Sequence, residues 1–98
     1  MYKTVITEFA KQDIRENAKW YNKQQKGLGK RFTNEVRKAI KHIKQNPENI
    51  QIRYKNVRAI KTDVFPYMLH FTIDEPNKTI IVKAVFSTHQ NPNDWNSR

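Results

Sequence analysis

Three histidines, His42, His70 and His89, are the side chains of this 98-residue chain whose ordinary pKa lies near neutrality, and each could pass a proton. They lie far apart in sequence and lack paired-ligand spacing, so no metal site is expected. The chain has no cysteine, which excludes a thiol nucleophile, a disulfide framework and any Cys-containing metal centre. The acids fall mostly on expected solvated helix faces or in turns, and no pair suggests two-carboxylate glycoside hydrolysis. A glycine-rich phosphate loop, a G-x-S-x-G elbow and an H-E-x-x-H helix are all absent, and no cofactor is implied.

Cationic side chains say more. Lys and Arg number 19 against 9 acids, a net charge of +10. The surplus is uneven, with 12 basic and 4 acidic residues in 1–46 but 7 and 5 in 47–98. Arg37, Lys41 and Lys44 recur at i, i+4 and i+7 and share a helix face, with Lys30, Arg31 and Lys38 beside it. A solvated face is the plain reading, and a surface that tracks phosphates is the functional one. A second group, Arg53, Lys55, Arg58 and Lys61, falls on a strand candidate. No zinc finger or RNP-like stretch accompanies either group, so each implies backbone contact rather than base readout. His89, just before Asn91-Pro92-Asn93-Asp94-Trp95, is a capping residue or, beside a cationic cluster, an acid–base catalyst. Trp20 and Trp95 read as packing or interface anchors before stacking platforms.

The elements that must position these groups follow from periodicity. Tyr2–Thr7 is a short β-branched strand, and Thr7 can cap a helix that opens with Glu8. Ala10, Ile14, Ala18 and Tyr21 form one apolar stripe of that helix, which runs to about Gln25. Gly27-Leu28-Gly29 stops it. Phe32, Val36, Ala39, Ile40 and Ile43 then mark a second helix, ending at Asn46-Pro47 because the residue before proline resists the helical region. Beyond Pro47 the period becomes two. Strands are predicted over Arg53–Lys61, Phe65–Ile73 and Thr79–Ser87. The expected fold is α+β, ordered β-αα-βββ, a helical hairpin packed on one face of a small, mainly antiparallel sheet. Phe65 and Ile80 head the core-facing series. Met68, His70, Ile81, Lys83 and Val85 fall on the opposite, half-apolar face, a surface of the kind that awaits a partner. The length suits a single domain over 1–98. No signal-like core or apolar run of membrane-spanning length is present, so a cytoplasmic protein with no membrane partner is expected.

The pieces A-K-Q-D-I-R-E-N-A-K-W-Y (10–21), G-L-G-K-R-F (27–32), N-P (46–47), Y-K-N-V-R (54–58), F-P-Y-M-L-H-F (65–71) and V-F-S-T-H-Q-N-P-N-D-W (85–95) occur in an order that resembles the RelE/ParE superfamily of bacterial type II toxins. The resemblance implies a growth-arresting, plasmid-stabilising toxin neutralised by a cognate antitoxin, with the Met68 face as its docking surface. It implies one of two targets: DNA gyrase, poisoned without nuclease action, or mRNA cut within the ribosome. For cleavage, the resemblance places Arg58, Lys61 and His89 in the catalytic positions. Cleaving members usually carry an arginine before the middle strand's apolar core and a C-terminal tyrosine. This chain has Pro66-Tyr67 and Trp95 there, and its H-Q-N-P-N-D-W ending is closer to ParE-like members. The gyrase role is therefore the first expectation and ribosome-dependent mRNA cleavage the alternative. In the gyrase role Arg37, Lys41, Lys44, Arg53 and Lys55 form a docking surface. A non-toxic nucleic-acid-binding module is a further alternative.

Overall fold

The computed structural model describes residues 2–88. It contains β1 (Lys3–Ile6), α1 (Glu8–Gln24), α2 (Leu28–Gln45), a 3-10 turn (Pro47–Asn49), β2 (Ile52–Tyr54), β3 (Val57–Lys61), β4 (Tyr67–Asp74) and β5 (Thr79–Ser87). The helix ends form as their residues dictate. Thr7 Oγ1 accepts the Ala10 N–H at 3.2 Å, capping α1. Gly27, at φ +87°, makes the turn between the helices in a backbone region that side-chain-bearing residues avoid. Helix α2 ends at Gln45, before Asn46-Pro47.

The strands form one sheet ordered β1-β5-β4-β3-β2, antiparallel except where β1 runs parallel to β5. Both helices cover one face. Ala10, Phe32, Val36, Ala39 and Ile43 pack there against Phe65, Tyr67, Leu69, Phe71, Ile80, Val82 and Val85. The rings of Tyr21, Phe32, Phe65 and Tyr67 meet mostly edge to face. No helix among the described residues is long and apolar enough to cross a membrane.

Two strand expectations are corrected. The segment 53–61 is a hairpin of two strands, because Lys55 adopts φ +48° and turns the chain at Lys55-Asn56. The alternation of β5 is broken as well. Leu69 pairs with Val85 and His70 with Ala84, but Phe71 pairs with Val82, so Lys83 is an extra residue in a bulge. From that point the faces exchange. Val85 turns into the core at 2% exposure, and Ala84 and Phe86 turn away from the helices.

Helix α1 holds the bulge. Thr7 Oγ1 donates to the Lys83 carbonyl at 3.3 Å, and the Val85 N–H donates to Asp13 Oδ2 at 3.0 Å. Asn17 extends the link, donating to the Asp13 carbonyl at 2.7 Å and accepting from the Tyr67 hydroxyl at 2.6 Å. Asp13→Ala removes a charged acceptor from a part-buried amide and is expected to cost about 1.5–3 kcal/mol, with Asp13→Asn costing less because it keeps an oxygen. Urea unfolding of both variants measures this, and equal losses would show that the charge, not the acceptor, matters.

Candidate functional site

On the face away from the helices, β3 contributes Val57, Ala59 and Lys61, since Ala59 pairs with His70 and Lys61 with Met68. Met68, Ile81 and Lys83 are half-buried there. His70 is not accessible: it is fully buried, with Nδ1 3.1 Å from the Tyr54 hydroxyl and its ring edge-on to Phe86 at 5.1 Å. Burial, and then the charge of Arg53, hold its pKa down at about 4, so the imidazole is neutral at physiological pH. Burial also pushes the Tyr54 phenol up. A buried neutral histidine and a core valine cannot meet a partner, so His70 and Val85 leave the expected antitoxin surface.

The cations expected to act together are divided. Arg58 and Lys61 are three residues apart on β3, and alternation sends them to opposite faces. Arg58 pairs across to Ile52 and Phe71. Its Nη1 donates to the Glu48 carbonyl at 3.0 Å and the Ile50 carbonyl at 2.7 Å, tying down the chain that leaves α2. Lys61 is exposed at the end of β3, and a cleft between that end and α2 is lined by Glu35, Lys38, His42, Ile60 and Asp63. Lys38 is already engaged there, 3.2 Å from Asp63, which raises the pKa of its ammonium. Arg53 is exposed on β2, near enough to His70 to depress its pKa, and Lys55 stands at the hairpin tip. Arg37, Lys41 and Lys44 lie on the other layer, in a shallow groove of α2 with Ile40 and Gln45. His89 and the segment through Trp95 lie outside the described residues.

Three arrangements escaped the sequence. Asp13 looked like a solvated helix acid, yet it holds a bulge that no local motif announces. Gly29 packs directly against α1. The Tyr2 hydroxyl lies between Glu48 Oε1 at 2.7 Å and Glu75 Oε1 at 2.9 Å, and Lys78 sits 3.2 Å from Glu75. Hydrogen bonding to the carboxylates raises the Tyr2 phenol and lowers Glu75. These contacts join segments 46 and 73 residues apart, and spacing alone cannot reveal them. Among the described residues no group of three His, Asp or Glu side chains is placed to hold a metal ion.

The architecture is that of the RelE-type toxins. The isolated E. coli RelE toxin superposes at a TM-score of 0.68 and 16% identity, over 99% of this chain and 95% of that one. A chain of the intact E. coli RelBE toxin–antitoxin complex gives 0.69 and 16%, over 92% and 100%. One from the chromosomal ParDE system of P. aeruginosa gives 0.66 and 14%, over 89% and 96%. Identities this low establish the fold and nothing finer. No curated protein matches the sequence. Residues 5–92 match the family described as ParE toxin of type II toxin–antitoxin system, parDE, and the chain belongs to that family.

Proposed function

We propose that this toxin is restrained by a cognate antitoxin and, once freed, arrests growth by acting on DNA gyrase without cutting nucleic acid. Family membership supports the toxin role, and the antitoxin reading is supported by similar folds found in complexes named for toxin and antitoxin together. One observation favours the non-nucleolytic reading. Phosphodiester cleavage needs cations converging on one pentavalent phosphate. Here the guanidinium of Arg58 is engaged by two backbone carbonyls, on the opposite side of the sheet from Lys61. In this reading the antitoxin lies over the half-buried Met68, Ile81 and Lys83, and the exposed Arg53 and Lys55 dock the target.

Induced expression in a bacterial host, with new DNA and new protein labelled separately, tests the target. DNA synthesis is expected to fall first, with a damage response. An early stop in protein synthesis, with mRNA cut on translating ribosomes, would replace this reading with the ribonuclease one. Unimpaired growth would leave only a binding module. The Arg58→Ala variant sharpens the test. Losing two hydrogen bonds from a charged donor is expected to lower stability by about 1.5–3 kcal/mol. Toxicity should nevertheless survive at temperatures where the variant is folded by circular dichroism. Complete loss of toxicity in folded Arg58→Ala would instead give this residue a direct role in chemistry.

A further inference from the structure

Helix α2 carries a one-sign stripe along its whole outer side. At 100° per residue, Lys30, Arg37, Lys41 and Lys44 fall within about 60° of one another, and Asn34 and Gln45 border the same arc. All are exposed except Lys44, which is half-buried. Lys30 and Lys44 are about 21 Å apart along the axis at 1.5 Å per residue. None of the four cations makes an ion pair among the described residues, whereas the neighbouring Lys38 is paired with Asp63. Glu35, the one acid of the helix, lies on another flank.

This arrangement works against the helix that carries it. Arg37 and Lys41 at i, i+4, and Lys41 and Lys44 at i, i+3, repel one another. Lys30 and Arg31 stand in the first turn, where the helix dipole disfavours cations and where no acid is present to balance them. A face that only had to meet water would gain from interspersed acids, as α1 does with Glu8 beside Lys11. A polyanion relieves both penalties. The choice between an acidic protein and a nucleic acid follows from what the stripe lacks. Protein interfaces centre on large apolar or aromatic anchors. Among the described residues the exposed large apolar side chains are Val5, Phe9, Trp20, Ile52 and Val64, and none lies on α2. Phosphate contacts require only cations and amides, which is what the groove of Arg37, Lys41, Lys44 and Gln45 around Ile40 offers.

We infer that the α2 stripe binds the phosphate backbone of duplex DNA, independently of base sequence, across about six base pairs at 3.4 Å each. This goes beyond the toxin reading and does not depend on which target the toxin poisons. Binding of the full chain to a labelled duplex of mixed sequence, followed by fluorescence anisotropy at several salt concentrations, tests it. Four neutralised phosphates give a log–log salt slope of about −3.6, so affinity should fall about a hundredfold between about 50 and 200 mM salt. The Arg37→Gln/Lys41→Gln/Lys44→Gln variant should bind more weakly, with its slope reduced to about −1 and a loss of only several-fold over that range. Arg15→Gln/Lys19→Gln/Lys23→Gln removes the same charge from α1 and should keep most of the slope. Equal losses in the two variants would mean that net charge alone draws the duplex, and the site would not exist. No duplex binding at about 100 mM salt, or tighter binding of polyglutamate that depends on the same three cations, would also overturn the assignment.

Discussion

Gly29→Ala is expected to destabilise the protein by about 2–3 kcal/mol, the cost of overpacking a close helix contact. The usual effect has the opposite sign, since alanine in place of glycine inside a helix gains about 1 kcal/mol. Packing reverses it here. A Cβ on Gly29 would overlap the Ala18 carbonyl oxygen and come within 2.7 Å of Asn22 Cγ. The Asn22 side chain could turn aside, at the expense of its 2.8 Å hydrogen bond from the Gly29 N–H. The Ala18 carbonyl cannot, because it is α1 backbone, so the two helices must separate. That separation is transmitted to the core, where Tyr21 of α1 stacks at 5.4 Å on Phe32 of α2. Urea midpoints of wild type and variant measure the effect, and an unchanged or raised midpoint would show that the hairpin opens freely. Gly27→Ala provides the contrast: it meets no atom within 4 Å and is opposed only by its φ of +87°, at about 1–2 kcal/mol.

Why the sequence announces one of these glycines as a turn and hides the other's packing bears on the fold as a whole. Signals that act within four or five residues are readable: the Thr7 cap, the Gly27 turn, the Asn46-Pro47 stop and the apolar stripes of both helices all stand where their residue types put them. The β5 bulge could not be read, because Thr79–Ser87 is apolar in either register. Ile80 and Val82 face the core as alternation requires, but Val85 serves there as well as Ala84 or Phe86 would, and only Asp13 and Thr7 from α1 decide the slip. The hairpin of β2 and β3 was hidden for another reason. Its turn puts Lys55, and not the neighbouring Asn56, at positive φ, and the charged run on either side has no strong period. The expected site fared according to the same rule. The α2 cations share a face because helical spacing is local, whereas the grouping of Arg58 with Lys61 overlooked the two-residue period of their strand.

Lowering the pH from 7 to 5 is expected to cost the protein about 2 kcal/mol through His70 alone. The sign follows from where the proton is welcome. The imidazole has an ordinary pKa of 6.5 in the unfolded chain and about 4 in the folded one, so between these values the unfolded state binds more protons. Stability from this group is therefore fully present above pH 6.5 and is lost as the pH falls toward 4. Burial is the main cause, and the charge of Arg53 adds to it. No compensating gain is available from Tyr54, whose hydroxyl 3.1 Å away is held neutral by a raised pKa. Denaturant unfolding of wild type and His70→Phe at pH 7 and pH 5 isolates the effect. The variant also loses the His70 contact of the Tyr54 hydroxyl, so its absolute stability is not the readout; the difference between the two pH values is. Carboxylates titrate in both proteins and cancel in that comparison. A smaller acid loss in His70→Phe, by about 2 kcal/mol, is the expected result. Equal acid losses in the two proteins would mean that the imidazole keeps its ordinary pKa, and that the sheet face it occupies opens to water.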